Sequence, residues 1–387
     1  MDIKSIFEGP DDSEILTKPR NKITKRIFIA ATRMNDGKTT TSLGLYSALS
    51  DGKKKIGYIK PVGQRFVDIN GEKIDEDSFL LTETFNVSVP IQAMSPIVVD
   101  KDFTKDYLDD SKSIYPKIVN RLCHSFDRAA YEKDYIIIEG TGHAGVGSVF
   151  DLSNAEVAKM LNAKAIIIAS GGIGRPIDEI ALNQALFEKA GVEIIGVIIN
   201  KVLTEKLDFI KHYCGQALEK MNLKLLGIIP ENAKLSEPSL SQIFHEIKGE
   251  CLNTTDNIQS RKIKKVVIAA KTGLSTIDDI EDGTLIVSSG DREDIIQPCI
   301  KSNKASMLSG IILTNAIKPN DATIADIQGS EIPFILSKDS SYSVISRMNK
   351  MNIKTQPHDI DKISIIKEIL KKNIDLKEIE EAFKLSL

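Results

Sequence analysis

Short apolar runs separated by amphipathic stretches set the rhythm of the chain. Arg26-Ile27-Phe28-Ile29-Ala30, Ile56-Gly57-Tyr58-Ile59, Tyr135-Ile136-Ile137-Ile138, Ala165-Ile166-Ile167-Ile168-Ala169, Ile194-Ile195-Gly196-Val197-Ile198-Ile199 and Leu225-Leu226-Gly227-Ile228-Ile229 read as strands. Between them, 42–49, 114–130, 177–190 and 205–221 read as helices. Strands that are apolar without alternation, with helices between them, predict an α/β fold whose parallel sheet is buried on both faces. Ligands of such sheets bind beyond the carboxyl ends of the strands. Lys38, Lys60, Glu139 and Asn200 all fall at such ends, from separate parts of the chain.

After residue 250 the pattern changes. Residues 251–262 are rich in Asn, Thr, Asp, Gln and Ser and read as a linker. A second α/β set follows, with strands expected over 264–271, 284–288, 309–314 and 332–336. The expected layout is an N-terminal extension over 1–24, a first domain over 25–250, the linker, a smaller domain over 263–360 and a charged helical tail over 361–387. In the smaller domain Ser289-Gly290-Asp291-Arg292-Glu293-Asp294 has two readings. One is a tight turn leading into a capped helix. The other is a loop that holds a ligand.

The first strand runs into Ala31-Thr32-Arg33-Met34-Asn35-Asp36-Gly37-Lys38-Thr39-Thr40, and a helix follows. Strand, tight loop, Gly-Lys-Thr and helix form a P-loop arrangement. Backbone N–H groups in the loop and at the helix start point at one spot and favour an anion there. Lys38 supplies a mobile positive charge and the Thr39 hydroxyl is placed for Mg²⁺. Thr32 stands where the standard pattern has its first glycine. Two further acidic features belong to the same chemistry. Asp75-Glu76-Asp77 opens a helix, where carboxylates are favoured by the helix dipole and one of them can turn towards a metal. Glu139, at the end of a doubly buried strand and ahead of Gly140-Thr141-Gly142, has the place of a Walker B carboxylate. An unpaired charge there is costly, and Mg²⁺ would supply the partner.

Composition narrows the picture. The chain has 387 residues, 42% hydrophobic and 27% charged, with a formal net charge of −3, so no basic footprint for nucleic acid is present. Aromatic residues make up 5% and tryptophan is absent, which argues against a stacking platform for bases. The four cysteines, at 123, 214, 251 and 299, form no C-x-x-C and read as reduced thiols. The N-terminal stretch lacks the apolar core of a signal peptide, and no apolar run reaches the ~18 residues of a membrane span. A cytoplasmic protein without membrane or nucleic-acid partners is the expectation.

Several of these residues match known families. The first domain resembles dethiobiotin synthetase and its P-loop relatives through Ala31 to Thr39, Lys60-Pro61-Val62, Asp77, Glu139-Gly140-Thr141-Gly142, Asn200 and Gly227-Ile228-Ile229-Pro230-Glu231. The second resembles the DRTGG domain, mainly through Ser289 to Asp294. The pair is similar to the N-terminal region of long bacterial phosphate acetyltransferases and to stand-alone proteins of the same layout. The resemblance implies a P-loop NTPase-type parallel sheet with helices on both faces, plus a smaller α/β domain. It implies ATP and Mg²⁺ as cofactors, with Asn35, Asp36, Gly37, Lys38, Thr39, Thr40, Asn200, Pro230 and Glu231 around the nucleotide. Lys38 would hold the β- and γ-phosphates, Asn200 would face the adenine, and Lys60 would lie near the γ-phosphate and any acceptor. Thr39, Asp77 and Glu139 would surround the metal. Ala31 replaces the synthetase's first loop glycine, Gln64 replaces a small hydroxyl residue that touches its diamine, and His143 replaces a glycine. Phosphate and metal handling are therefore expected to persist and diamine recognition is not. The chain stops short of a phosphate acetyltransferase catalytic domain, so that activity is not expected. The leading expectation is a Mg-ATP-binding protein, an ATPase whose site is coupled to a regulatory ligand-binding domain. An ATP-dependent ligase acting on a small-molecule carboxylate or carbamate, and a non-catalytic oligomerisation module, are the alternatives. A homodimer is expected by analogy.

Overall fold

The structure is a computed structural model, and it describes residues 15–253 and 258–384. The chain forms two compact units. One runs to Asn232 and resumes at Ile360; the other spans Ala233–Asp359.

The first unit is built on a six-stranded parallel sheet flanked by helices. Its strands are β1 (Lys25–Ala31), β2 (Ile56–Ile59), β3 (Tyr135–Glu139), β4 (Lys164–Ser170), β5 (Ile194–Val202) and β6 (Leu225–Pro230), arranged β6-β5-β4-β1-β3-β2. Ile27 to Ala31, Ile136 to Glu139 and Ala165 to Ala169 are fully buried, as apolar runs covered on both faces must be. After β3 the chain crosses to the other side of β1, so the strand order reverses beside β1 and leaves a crevice at its carboxyl end. Register brings Ile29 level with Glu139 and Ser170 level with Asn200, which aligns the strand ends around that crevice.

The C-terminal segment, set apart by its charge pattern, is a layer of this unit. Helix Ile360–Asn373 lies against α1 (Lys38–Asp51). Gly44 makes the close approach possible, because a Cβ there would come within 2.3 Å of the Leu370 side chain. Lys371 pairs with Asp51 at 2.8 Å, Lys54 with Glu380, and Lys224 with Glu378. The extension expected over 1–24 lies outside the described residues up to position 14. Beyond it, Leu16 N–H donates to Asn120 Oδ1, and Arg20 and Asn21 N–H donate to Asp127.

The second unit begins well before the expected boundary at 250. Helix Leu240–Ile247 starts in a capping box formed by Ser239 and Gln242 and supplies one wall of the unit's core. The sheet is β7 (Glu250–Cys251), β8 (Lys265–Ile268), β9 (Thr284–Ser289), β10 (Leu308–Thr314) and β11 (Phe334–Leu336), ordered β7-β11-β10-β9-β8. All pairs are parallel except β7 with β11. The described residues of the linker expected over 251–262, namely 251–253 and 258–262, are therefore woven into this unit. They satisfy main-chain carbonyls that a free linker would leave alone. Asn253 Nδ2 donates to the carbonyls of Ile327, Ser330 and Ile332, and Arg261 donates to those of Leu308 and Glu331. Polar composition, which suggested a linker, here marks side chains used as clamps.

Candidate active site

The loop between β1 and α1 is shaped by a left-handed residue and a brace. Gly37 has φ +102°, and a Cβ there would lie 2.0 Å from Asn200 Nδ2, so glycine is required twice over. Asp36 is buried and turned inward. One carboxylate oxygen accepts from Thr32 Oγ1 and from Arg33 N–H, both at 2.8 Å, and the other from Ser170 Oγ at 2.5 Å. Thr32, which replaced the pattern's first glycine, thus helps to tie the loop. Asn200 Nδ2 donates to the Asp36 carbonyl at 2.7 Å, and Lys201 Nζ donates to the Asn35 carbonyl at 2.8 Å. Asn200, which the resemblance set facing adenine, has its amide turned to the loop backbone.

Lys38, the first residue of α1, is 8% exposed. Its ammonium has no hydrogen-bond or ion-pair partner among the described residues. Burial, and then the neighbouring charge of Lys60, lower its pKa to about 8. Thr39 and Thr40 follow, both half-buried at the opening of the helix. Thr39 Oγ1 donates to Glu139 Oε1 at 2.8 Å.

Glu139 is fully buried. Besides Thr39, its Oε1 accepts from Lys60 Nζ at 3.0 Å, and its Oε2 accepts from Tyr58 OH at 3.0 Å. Lys60 Nζ also donates to Asp77 Oδ2 at 2.5 Å. Burial works against the Lys60 charge, but Asp77, Glu139 and Asp75 outweigh it and hold the ammonium well above its usual range. Burial, reinforced by Glu139, likewise pushes the Tyr58 phenol up. The acidic helix start divides two tasks between its carboxylates. Asp75 caps the helix Glu76–Phe85 by accepting from Asp77 N–H at 2.9 Å, and Asp77 faces Lys60.

The structure therefore gathers Lys38, Thr39, Lys60, Asp77 and Glu139, and it ties Asn35, Asp36, Gly37 and Asn200 into the loop beside them. Pro230 and Glu231 lie at the carboxyl end of edge strand β6, three strands from β1, where Glu231 N–H donates to the Val202 carbonyl. His143 is exposed, and its Nδ1 accepts from Gly145 N–H at 3.2 Å. Gln64 is exposed too. Sequence reading passed over Tyr58, Ser170, Lys201 and Asn154. Asn154 secures the loop after Glu139 by donating to the carbonyls of Thr141 and His143. Tyr58 alone had a signal, since it lies on β2 two residues before Lys60, which directly follows the strand, and so shares its face.

Two carboxylates and a hydroxyl are hard oxygen donors of the kind that Mg²⁺ takes together with phosphate and water. A cation, the Lys60 ammonium, is already seated among them, so the donor set fits a positive ion.

In the second unit the loop after β9 resolves as a turn leading into helix Glu293–Lys301. Arg292 pairs with both carboxylate oxygens of Asp294, each at 2.9 Å or less, and donates to the carbonyls of Ala269 and Lys271. Gly290 is needed for close approach, because a Cβ would sit 1.8 Å from the Ile317 carbonyl oxygen. Asp291 is exposed.

Comparison with known proteins agrees with this division. The AAA domain model of the AAA_26 family matches residues 25–239, and the DRTGG domain model matches residues 242–351. The phosphate acetyltransferase of Pseudomonas putida is 25% identical over 360 residues, covering 90% of this chain and 50% of the relative. That of Synechocystis sp. is 24% identical over 371 residues, covering 91% and 51%. The chain thus spans about half the length of these relatives, and its homology is to their N-terminal region. Among solved structures, the MinD cell division protein of Aquifex aeolicus is 17% identical with a TM-score of 0.33, covering 55% of this chain and 84% of that one. The McdA–ATP complex of Cyanothece is 18% identical with a TM-score of 0.37, covering 55% and 86%. Among the described residues no helix is long and apolar enough to cross a membrane.

Proposed function

The chain belongs to the AAA_26 family of AAA domains, with a DRTGG domain following, and on that footing we propose that its first unit binds and hydrolyses magnesium–ATP. One observation carries the reading. Lys38 is a buried cation without a partner among the described residues, at the opening of a 14-residue helix, and its pKa is lowered to about 8. A protein gains little from such a charge until an anion arrives. Helix N–H groups and the Lys38 ammonium together favour a phosphate chain.

The roles of the residues follow from chemistry. Lys38 offsets the negative charge that builds on the transferred phosphoryl group. Thr39, Asp77 and Glu139 would hold Mg²⁺, with Tyr58 fixing the orientation of Glu139. When bound, Mg²⁺ supplies charge neutralisation on the phosphate oxygens. Asp36 and Asn200 keep the loop backbone in its anion-binding shape. We extend the proposal to the DRTGG unit, as a regulatory partner whose effector and nucleotide state are linked.

A ligase reading is favoured by Lys60, which is buried at the same site and is more than hydrolysis by water requires. In it an acceptor carboxylate oxygen would attack the γ-phosphorus, the bond to the β-phosphate oxygen would break, and ADP would leave an acyl phosphate. Calorimetric titration with Mg²⁺ and a non-hydrolysable ATP analogue tests the shared premise. Saturable heat that is lost in Lys38→Ala is expected; its absence from the wild-type protein would sink both readings. ADP formation that rises only on adding a small carboxylate would favour the ligase.

A further inference from the structure

The oxygens that a divalent ion would take are already engaged. Glu139 Oε1 is shared by Thr39 and Lys60, Glu139 Oε2 is held by Tyr58, and Asp77 Oδ2 is held by Lys60. Lys60 is 5% exposed and in contact with both acids, so it occupies the position of a bridging cation. We infer that Lys60 is a tethered counter-ion that keeps the metal's place, and that a divalent cation enters this site only together with nucleotide. The inference rests on the proposed magnesium–ATP reading and adds an order of events to it.

The physical argument is a competition. A bare Mg²⁺ ion gives up its water reluctantly. To reach Glu139 and Asp77 it would have to strip Lys60 Nζ from both, leaving the ammonium only the charge of Asp75, whose carboxylate already accepts from Asp77 N–H. Lys38, whose charge acts against that of Lys60, further disfavours a displaced ammonium on that side. A triphosphate reverses the balance. It brings several anionic oxygens into reach of Lys38 and offers Lys60 a new partner. Glu139 Oε1 and Asp77 Oδ2 are then released as ligands, while Tyr58 continues to hold Glu139 Oε2. Lys60 in this scheme is a positioning residue for the metal as well as a phosphate contact.

Mn²⁺ serves as a spectroscopic and calorimetric probe on the full chain. Wild-type protein should bind no Mn²⁺ specifically without nucleotide, and should bind one equivalent with a non-hydrolysable ATP analogue. Lys60→Met removes the tethered charge, and it should take up Mn²⁺ without nucleotide at least about tenfold more tightly than wild type. Lys60→Arg keeps the charge and should remain as refractory as wild type. Wild-type protein that binds Mn²⁺ alone as tightly as it does with nucleotide overturns the inference, and this arm needs no variant to fold. A folded Lys60→Met protein that gains no Mn²⁺ affinity overturns it equally. If the wild-type protein ignores the ATP analogue, the proposed function fails, yet the nucleotide-free comparison of wild type with Lys60→Met still decides whether Lys60 excludes the metal.

Discussion

At the carboxyl ends of its parallel strands the first unit gathers two lysines and two acids, and Lys38 has no partner among the described residues. At the end of β9 the second unit carries Arg292, whose guanidinium is spent on Asp294 and on the carbonyls of Ala269 and Lys271. Both are cations in loops after buried strands of a parallel sheet. Only one is left with unsatisfied charge. A basic residue at a strand end is thus not itself a sign of ligand binding. What separates the two is whether the surrounding fold has already neutralised it.

The comparison breaks most visibly at Lys38. Lys38→Ala should weaken binding of the ATP analogue by about a hundredfold, the loss of a charge-assisted contact in a buried place. The same residue should be a burden to the fold. Its pKa falls from 10.5 in the unfolded chain to about 8 in the folded one, which corresponds to about 3 kcal/mol of destabilisation at neutral pH. The unfolded chain binds more protons between those two values, so stability should rise as pH climbs from about 8 towards 10.5. Lys38→Met should therefore melt at a higher temperature than wild type at pH 7, with the gap closing by pH 10. A variant that is less stable at pH 7 would mean that Lys38 has a partner after all. Ligand binding should show the reverse sign. An anion raises the Lys38 pKa, so at pH 8 nucleotide binding should take up about half a proton. Calorimetry in buffers of different ionisation enthalpy would measure it.

Tyr58 comes next. Tyr58→Phe leaves Glu139 Oε2 without its donor in a fully buried site. The expected cost is about 1–3 kcal/mol of stability, read by urea unfolding. The metal dependence of nucleotide binding should shift to higher Mg²⁺, because Glu139 is then free to turn. A loss of stability with the Mg²⁺ dependence unchanged would reduce Tyr58 to a packing residue.

Much of the first unit was legible because its signals are local. Unbroken apolar runs gave all six strands of the main sheet, and Gly-Lys-Thr after the first of them marked the crevice. Lys60, Asp77 and Glu139 were visible as strand-end and helix-start residues. Their mutual contacts, and the role of Tyr58, depend on β2 and β3 lying side by side, which no local pattern states. The second unit was harder to bound. Its first helix and edge strand precede a polar stretch, and polarity alone does not distinguish a linker from residues such as Asn253 and Arg261 that satisfy main-chain carbonyls. The C-terminal helix was expected as a helix, but the unit it packs on was not legible, for a related reason. Its attachment to the first unit is set by the small surface of Gly44 and by scattered ion pairs, features with no periodicity.

The smallest expected effect returns to the second unit and tests the comparison from its quiet side. Arg292→Ala removes a partly exposed ion pair and two bonds to carbonyls. Such contacts are worth about 1 kcal/mol together once solvent screening is allowed for. Unfolding followed by a probe in the second unit should show that loss, while ATP-analogue affinity stays within about twofold of wild type. Asp291→Asn alters an exposed carboxylate and should change stability by less than about 0.5 kcal/mol. If either substitution lowered nucleotide affinity as Lys38→Ala does, neutralisation by the fold would no longer separate the two regions. The two sets of strand ends would then have to be treated as parts of one functional system.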